Sequence, residues 1–216
     1  MELISINQAR VVAMVQLQQW DPLGKALTLE VLGKLGDRYS FTKSPTKLED
    51  VDFQKGLELH EGRLADIRID RIIIFLNGII IDTRSSTEDS ERVLNDMLDL
   101  AHEAFGAVIK PARQTFASQL IFRSNMRLAG LNPILPTIAD TLTERASADL
   151  KHPFTFEPTA ILLNVDTAQA KTPPAMFSIE RRAEIPFAEN TYFSSAPLRT
   201  AEHIEVVKAF EASLLG

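Results

Sequence analysis

Four histidines, three aspartates around one predicted hairpin and an arginine doublet are the residues here whose types could do chemistry. His60, His102, His152 and His203 never fall at i, i+4 or inside a His-Glu-x-x-His frame, so a helical zinc site is not encoded. His203 stands beside Val206 and Val207 and is expected as a satisfied core or interface histidine. His60 falls at a predicted turn, His152 precedes Pro153 and His102 flanks an acidic helix face, all ordinary surface placements. With 0 Cys, disulfides, thiolate metal sites and a cysteine nucleophile drop out together. No phosphate-cradling glycine motif and no Gly-x-Ser-x-Gly occurs, and neither a cofactor nor a metal is expected.

Asp66, Asp70 and Asp82 would suggest a two-metal nuclease or a glycosidase pair if two of them shared a face. Taking Asn77-Gly78 as the turn sets Ile73 opposite Asp82 and Asp70 opposite Ser85. Strand alternation then sends Asp70 and Asp82 to opposite faces. They are expected as solvated strand-end charges. Arg181 of the Arg181-Arg182 doublet points with Phe177, Ile179 and Ala183, the apolar side of its strand. An arginine there needs a carboxylate, an anion or a bulge, which makes Arg181 an interaction candidate.

Those residues must be positioned by recognisable elements. Val11, Ala13, Val15 and Leu17 alternate as a strand. Asp21-Pro22 reads as a cap and first helical position, followed by Leu23, Leu27 and Val31, with Gly36 as the stop. Residues 40–50 read as a loop. Leu57–His60 precedes a tight turn at Glu61-Gly62. Arg68–Leu76 and Ile79–Thr83 form a hairpin around Asn77-Gly78, a pair suited to a type I′ turn. Its faces hold Ile72, Ile74, Leu76, Ile79 and Ile81 on one side, and Ile73, Phe75 and Ile80 on the other. Phe75 and Ile80 stand directly opposite in this register and are the other interaction candidates. Apolar residues on both faces imply helices on both sides or a partner.

Ser86 caps a helix with Glu88 and Asp89 in its first turn, Val93, Met97, Leu100, Ala101 and Ala104 inward, and Gly106 as its end. Its six acids between Glu88 and Glu103, against Arg92 alone, read as a solvated face. Further on, Phe116, Ser118, Leu120 and Phe122 alternate as a strand, and Asn132-Pro133 starts a helix with Ile134, Ile138 and Leu142 at i, i+4, i+8. Thr159, Ile161, Leu163 and Val165 form a strand, as do residues 177–187, with a short one at Tyr192 and Phe193. Thr200 caps a last helix with Val206, Val207, Phe210 and Leu214 inward.

The order β–α–(β meander)–α thus occurs twice. The expectation is a single α+β domain over 1–216, with antiparallel sheets and helices. Its two topologically similar halves, about 1–110 and 111–216, pack as one unit. A length of 216 residues with 45% hydrophobic and 24% charged residues suits a soluble globular protein. The net charge of −6 disfavours nucleic acid and anionic membrane surfaces. No apolar run is long enough to span a bilayer, and Glu2 with no basic-then-apolar start argues against a secretory signal, so a cytoplasmic setting is expected. The leading functional expectation is a non-enzymatic module that binds a protein partner or forms a homo-oligomer. A hydrolase-type enzyme acting on a small anionic or amide substrate, using Arg181 with a distant acid or His203, is the alternative. A nucleic-acid-associated protein ranks third.

Overall fold

The computed structural model describes residues 1–15, 29–45, 52–166, 168–169 and 173–215. In chain order its elements are β1 (Glu2–Met14), α1 (Leu29–Tyr39), β2 (Leu57–Leu64), β3 (Ile67–Phe75), β4 (Gly78–Thr83), α2 (Thr87–Phe105) and β5 (Arg113–Arg123). They continue with α3 (Ile134–Leu150), β6 (Ala160–Leu163), β7 (Phe177–Arg181), β8 (Thr191–Ala196) and α4 (Thr200–Leu215). The fold is α+β, with one antiparallel eight-stranded sheet in the order β2-β3-β4-β1-β5-β8-β7-β6. The chain divides into two compact units, Ile6–Gln119 with Pro197–His203, and Met1–Ser5 with Leu120–Ala196 and Ile204–Gly216. These boundaries differ from the expected halves by moving residues 1–5, 111–119 and 197–203.

In the unit built on Ile6–Gln119, strand alternation sets the core. Ala9, Val11, Ala13 and Val15 are buried, and so are Ile72, Ile74, Ile79 and Ile81. Onto that face α2 brings Val93, Leu94, Met97 and Ala101, while α1 brings Val31, Leu35 and Tyr39. Helix α2 follows its sequence signals closely. Ser86 Oγ accepts from Asp89 N at 3.1 Å, and Gly106 closes the helix at φ 66. The Asp21-Pro22 helix start and Leu17 lie outside the described residues. Gly36 does not stop α1, which runs to Tyr39 and ends on Ser40 at φ 50.

Three readings of this region need correction. The hairpin pairs Phe75 with Gly78 and Ile73 with Ile80, so its turn is Leu76-Asn77 rather than Asn77-Gly78. Gly78 is drawn into β4 opposite Met14, where a Cβ would come 3.1 Å from the Ala13 carbonyl oxygen. Its missing side chain serves close strand approach, and Phe75 and Ile80 share a face without being directly opposite. From Arg71 to Phe75 the shift is two residues, so those side chains keep their predicted faces. Glu61-Gly62 is not a turn either: β2 passes through it, the chain reverses at Ala65-Asp66, and a Cβ on Gly62 would meet the Phe41 ring at 2.5 Å.

Asp82 is not a solvated strand end. It is buried, with Arg10 bonding both carboxylate oxygens at 2.6 and 2.9 Å and Arg71 approaching Oδ2 at 3.1 Å. Cross-strand register aligns the three, Arg10 on β1 and Arg71 on β3 both facing Asp82 on β4. Asp70 sits at a register shift and pairs with Arg84 instead.

The other unit is built around Leu120, Phe122, Ile179 and Tyr192, all buried. Phe122 stacks on Tyr192 at 5.6 Å between centroids, and the Tyr192 hydroxyl donates to the Met126 carbonyl at 2.7 Å. The predicted strand 177–187 ends at Arg181. Beyond it Glu184 adopts φ 66, and Pro186 has no N–H to offer a ladder. Helix α3 leaves its i, i+4, i+8 apolar stripe outward. Ile134, Ile138 and Leu142 are 61%, 51% and 46% exposed, and Ala139 on the reverse face is its one buried residue among those described. On α4, Val207 is buried as expected, but Val206 is exposed. Thr200 does not cap its own helix: its N–H donates to Thr87 Oγ1 at 2.8 Å.

Candidate functional site

Arg181 is the last residue of β7, and alternation does carry its side chain inward, leaving it 8% exposed. A guanidinium so enclosed needs acceptors. Nη1 donates to the Phe187 carbonyl at 2.9 Å, and Nη2 reaches Glu157 Oε2 at 3.3 Å. The cation lies 4.7 Å from the Phe187 ring centroid and 5.3 Å from that of Tyr192, within cation–π range. Of the three options open to Arg181, Glu157 supplies the carboxylate. Nε is buried without a hydrogen-bond partner. Arg181 lines a cleft of about 770 Å³ with Asn125, Arg127, Asp140, Glu157, Phe187 and Asn190, the size of a small-molecule site. Two arginines and two carboxylates make it electrically balanced.

A second feature of the same unit is the outward side of α3. Ile134, Ile138 and Leu142 form an exposed stripe, while the weaker apolar side, Leu135, Ala139, Thr143 and Ala146, faces the unit. Contiguous exposed apolar residues of this kind mark contact surfaces more often than isolated ones do. The sequence held one trace of this orientation. Pro136 and Ala139 are small enough for close approach, but hydropathy alone favoured the isoleucine side.

The remaining candidates are dispersed. Phe75 and Ile80 are both half-buried, with Ile73 between them at 7% exposure. The Phe75 ring lies over Gly56, where a Cβ would stand 2.7 Å from Cε1. His203 is enclosed, with Nδ1 2.8 Å from Ser118 Oγ. Desolvation pushes its pKa down to about 4, against a weaker opposing hydrogen bond at Ser118. His60 lies within β2, with Nε2 3.0 Å from Glu58, and His152 meets the Phe154 ring edge-on. No group of three or more His, Asp or Glu suited to a metal ion occurs among the described residues.

The acidic face of α2 is partly engaged within the chain. Arg38 and the Tyr39 hydroxyl both bond Asp96, and Arg199 bridges Glu91 at 2.8 Å while stacking on Phe116 at 3.8 Å. No helix among the described residues is long and apolar enough to cross a membrane. No protein-family model matches the chain, and no curated protein matches it by sequence.

Proposed function

We propose that the chain is a cytoplasmic, non-enzymatic module for protein interaction or self-assembly, working through the outward stripe of α3. The observation that carries this reading is the orientation of the helix, which leaves Ile134, Ile138 and Leu142 bare while its less apolar side packs. A second copy is the occupant that fits. A two-fold axis at Ile138 lays Ile134 of one copy on Leu142 of the other, the self-complementary arrangement an isologous dimer requires. Thr137 and Thr141 on the same exposed side carry no charge to repel the copy. Sedimentation velocity and light scattering test it. The expected result is a dimer that Ile134→Lys with Ile138→Lys reduces to a monomer of unchanged melting temperature. A monomer at the highest attainable concentration overturns the reading.

A second reading draws on the Arg181 cleft: a small anionic or amide substrate held by Arg127 and Arg181. Saturable shifts of the Arg181 Nε–Hε resonance on titration with a small carboxylate would favour it. The recurrence of βα-βββ-α in the element order supports two topologically similar halves that form one folding unit. Fragments 1–110 and 111–216 are then expected to lack cooperative melts when separated.

A further inference from the structure

We propose that β6 is a docking edge for an extended, apolar segment of another protein that carries basic residues at its ends. The two outermost strands of the sheet are built in opposite ways. β2 is blunted as exposed edges usually are. Its sequence includes Glu58, Glu61 and Arg63, its backbone kinks at Glu61 with φ 57, and His60 N and O are already bonded to Lys43 at 2.9 and 3.4 Å. β6 has none of these devices. Its four residues, Ala160-Ile161-Leu162-Leu163, are all apolar, and Leu162 and Leu163 are 57% and 60% exposed. No described strand pairs with its free side.

The backbone of that side is ready to pair. Thr159 O accepts from Arg181 N at 2.8 Å, so antiparallel alternation turns Thr159, Ile161 and Leu163 toward β7. Ala160 and Leu162 then direct their N–H and C=O groups outward, which is what strand addition uses. Charge selects the occupant. From residue 152 to 170 the chain has no Lys or Arg, and its acids, Glu157 and Asp166, flank the strand on either side. A second copy paired antiparallel through Ala160 and Leu162 would bring the same acidic stretch alongside, with no Lys or Arg to meet Glu157 or Asp166. A segment with Lys or Arg at both ends meets the same two acids favourably, although Glu157 also serves Arg181.

The probe is a capped peptide of alternating Val and Thr with Lys at both ends, titrated into the isotopically labelled full chain. A twin with Glu in place of Lys and a third N-methylated on its inward-facing amides serve as controls. The expected result is saturable shifts at the Ala160 and Leu162 amides and binding weakened about fivefold or more by the Glu ends, the size of two exposed ion pairs. N-methylation, and Leu162→Pro on the protein side, should abolish the shifts; proline is tolerated where an edge N–H points outward. Equal affinity for all three peptides, shifts centred elsewhere, or none at millimolar peptide overturns the proposal. The Ile134→Lys, Ile138→Lys variant should bind the peptide unchanged, which separates this edge from the α3 contact.

Discussion

Thr87 and Thr200 cap each other: Thr87 N–H donates to Thr200 Oγ1 at 3.0 Å, and Thr200 N–H donates to Thr87 Oγ1 at 2.8 Å. Both are the first residues of their helices, α2 and α4, and both are buried. Each hydroxyl therefore satisfies an orphan donor that the partner helix cannot satisfy itself. Thr87→Val or Thr200→Val should each cost about 1 kcal/mol, through one buried N–H left unpaired. Because the pair shares one geometry, the double variant should deviate from the sum of the singles. Urea denaturation of the four proteins checks this, and strict additivity would mean that the two bonds form independently.

Asp96 should be the one costly member of the α2 acids tested by substitution. Tyr39 is wholly buried, and its hydroxyl donates to Asp96 Oδ2 at 2.8 Å. Asp96→Ala strands that phenol and should cost about 2 kcal/mol, whereas Asp99→Ala, on the exposed side, should be near neutral. Burial alone would raise the Asp96 pKa, but the hydrogen bonds from Arg38 and Tyr39 outweigh it and hold the carboxyl below its usual range. Its contribution is thus present above the ordinary carboxylate pKa and is lost as pH falls through the lowered one. Denaturation at neutral pH, then across the acid range, measures both effects.

The hairpin substitutions Phe75→Ser and Ile80→Ser should destabilise the chain by several kcal/mol together, by emptying the space around Ile73. Gly56→Ala gives the companion result, since Gly56 sits at φ 96 under the Phe75 ring and tolerates neither the torsion nor the methyl. Thermal melts followed by circular dichroism report both. A variant that keeps its melting temperature yet loses association would place the contact surface at the hairpin.

Local signals decided what the sequence could show. Ser86, Gly106 and the spacing of Val93, Met97 and Ala101 placed α2 correctly because caps and periodicity there agree with burial. The hairpin faces survived a misplaced turn because the true register differs by two residues, which preserves side-chain parity. Gly78 misled because strand approach and turn formation both favour glycine, and the competing demand, the Ala13 carbonyl, lies far away in sequence. Arg181 was legible as a buried cation in need of a partner. Glu157 was not, since 24 residues separate them and only the fold brings them together. The outward stripe of α3 left only the small residues Pro136 and Ala139 as a trace, because periodicity finds a stripe but does not say which side meets the rest of the chain.

His203 should make the stability of the chain depend on pH in a window that its removal abolishes. The imidazole is enclosed on α4 with Ser118 Oγ at 2.8 Å, and that hydroxyl also donates to the Leu198 carbonyl at 3.1 Å. With its one proton committed to Leu198, Ser118 accepts from Nδ1–H and so orients the ring. Burial lowers its pKa to about 4, whereas an unfolded histidine titrates near 6.5. Between those values the unfolded chain binds the extra proton, so stability falls as pH drops from about 6.5 toward 4 and is fully present above that window. The displacement corresponds to about 3 kcal/mol. His203→Gln retains a polar side chain with no titration in this range. The wild-type advantage over it should therefore shrink steadily from pH 7 to pH 4.5, while the carboxylates common to both proteins cancel in the difference. Parallel stability curves for the two proteins would show that His203 titrates in the fold as it does in the unfolded chain, and would overturn the neutral buried imidazole.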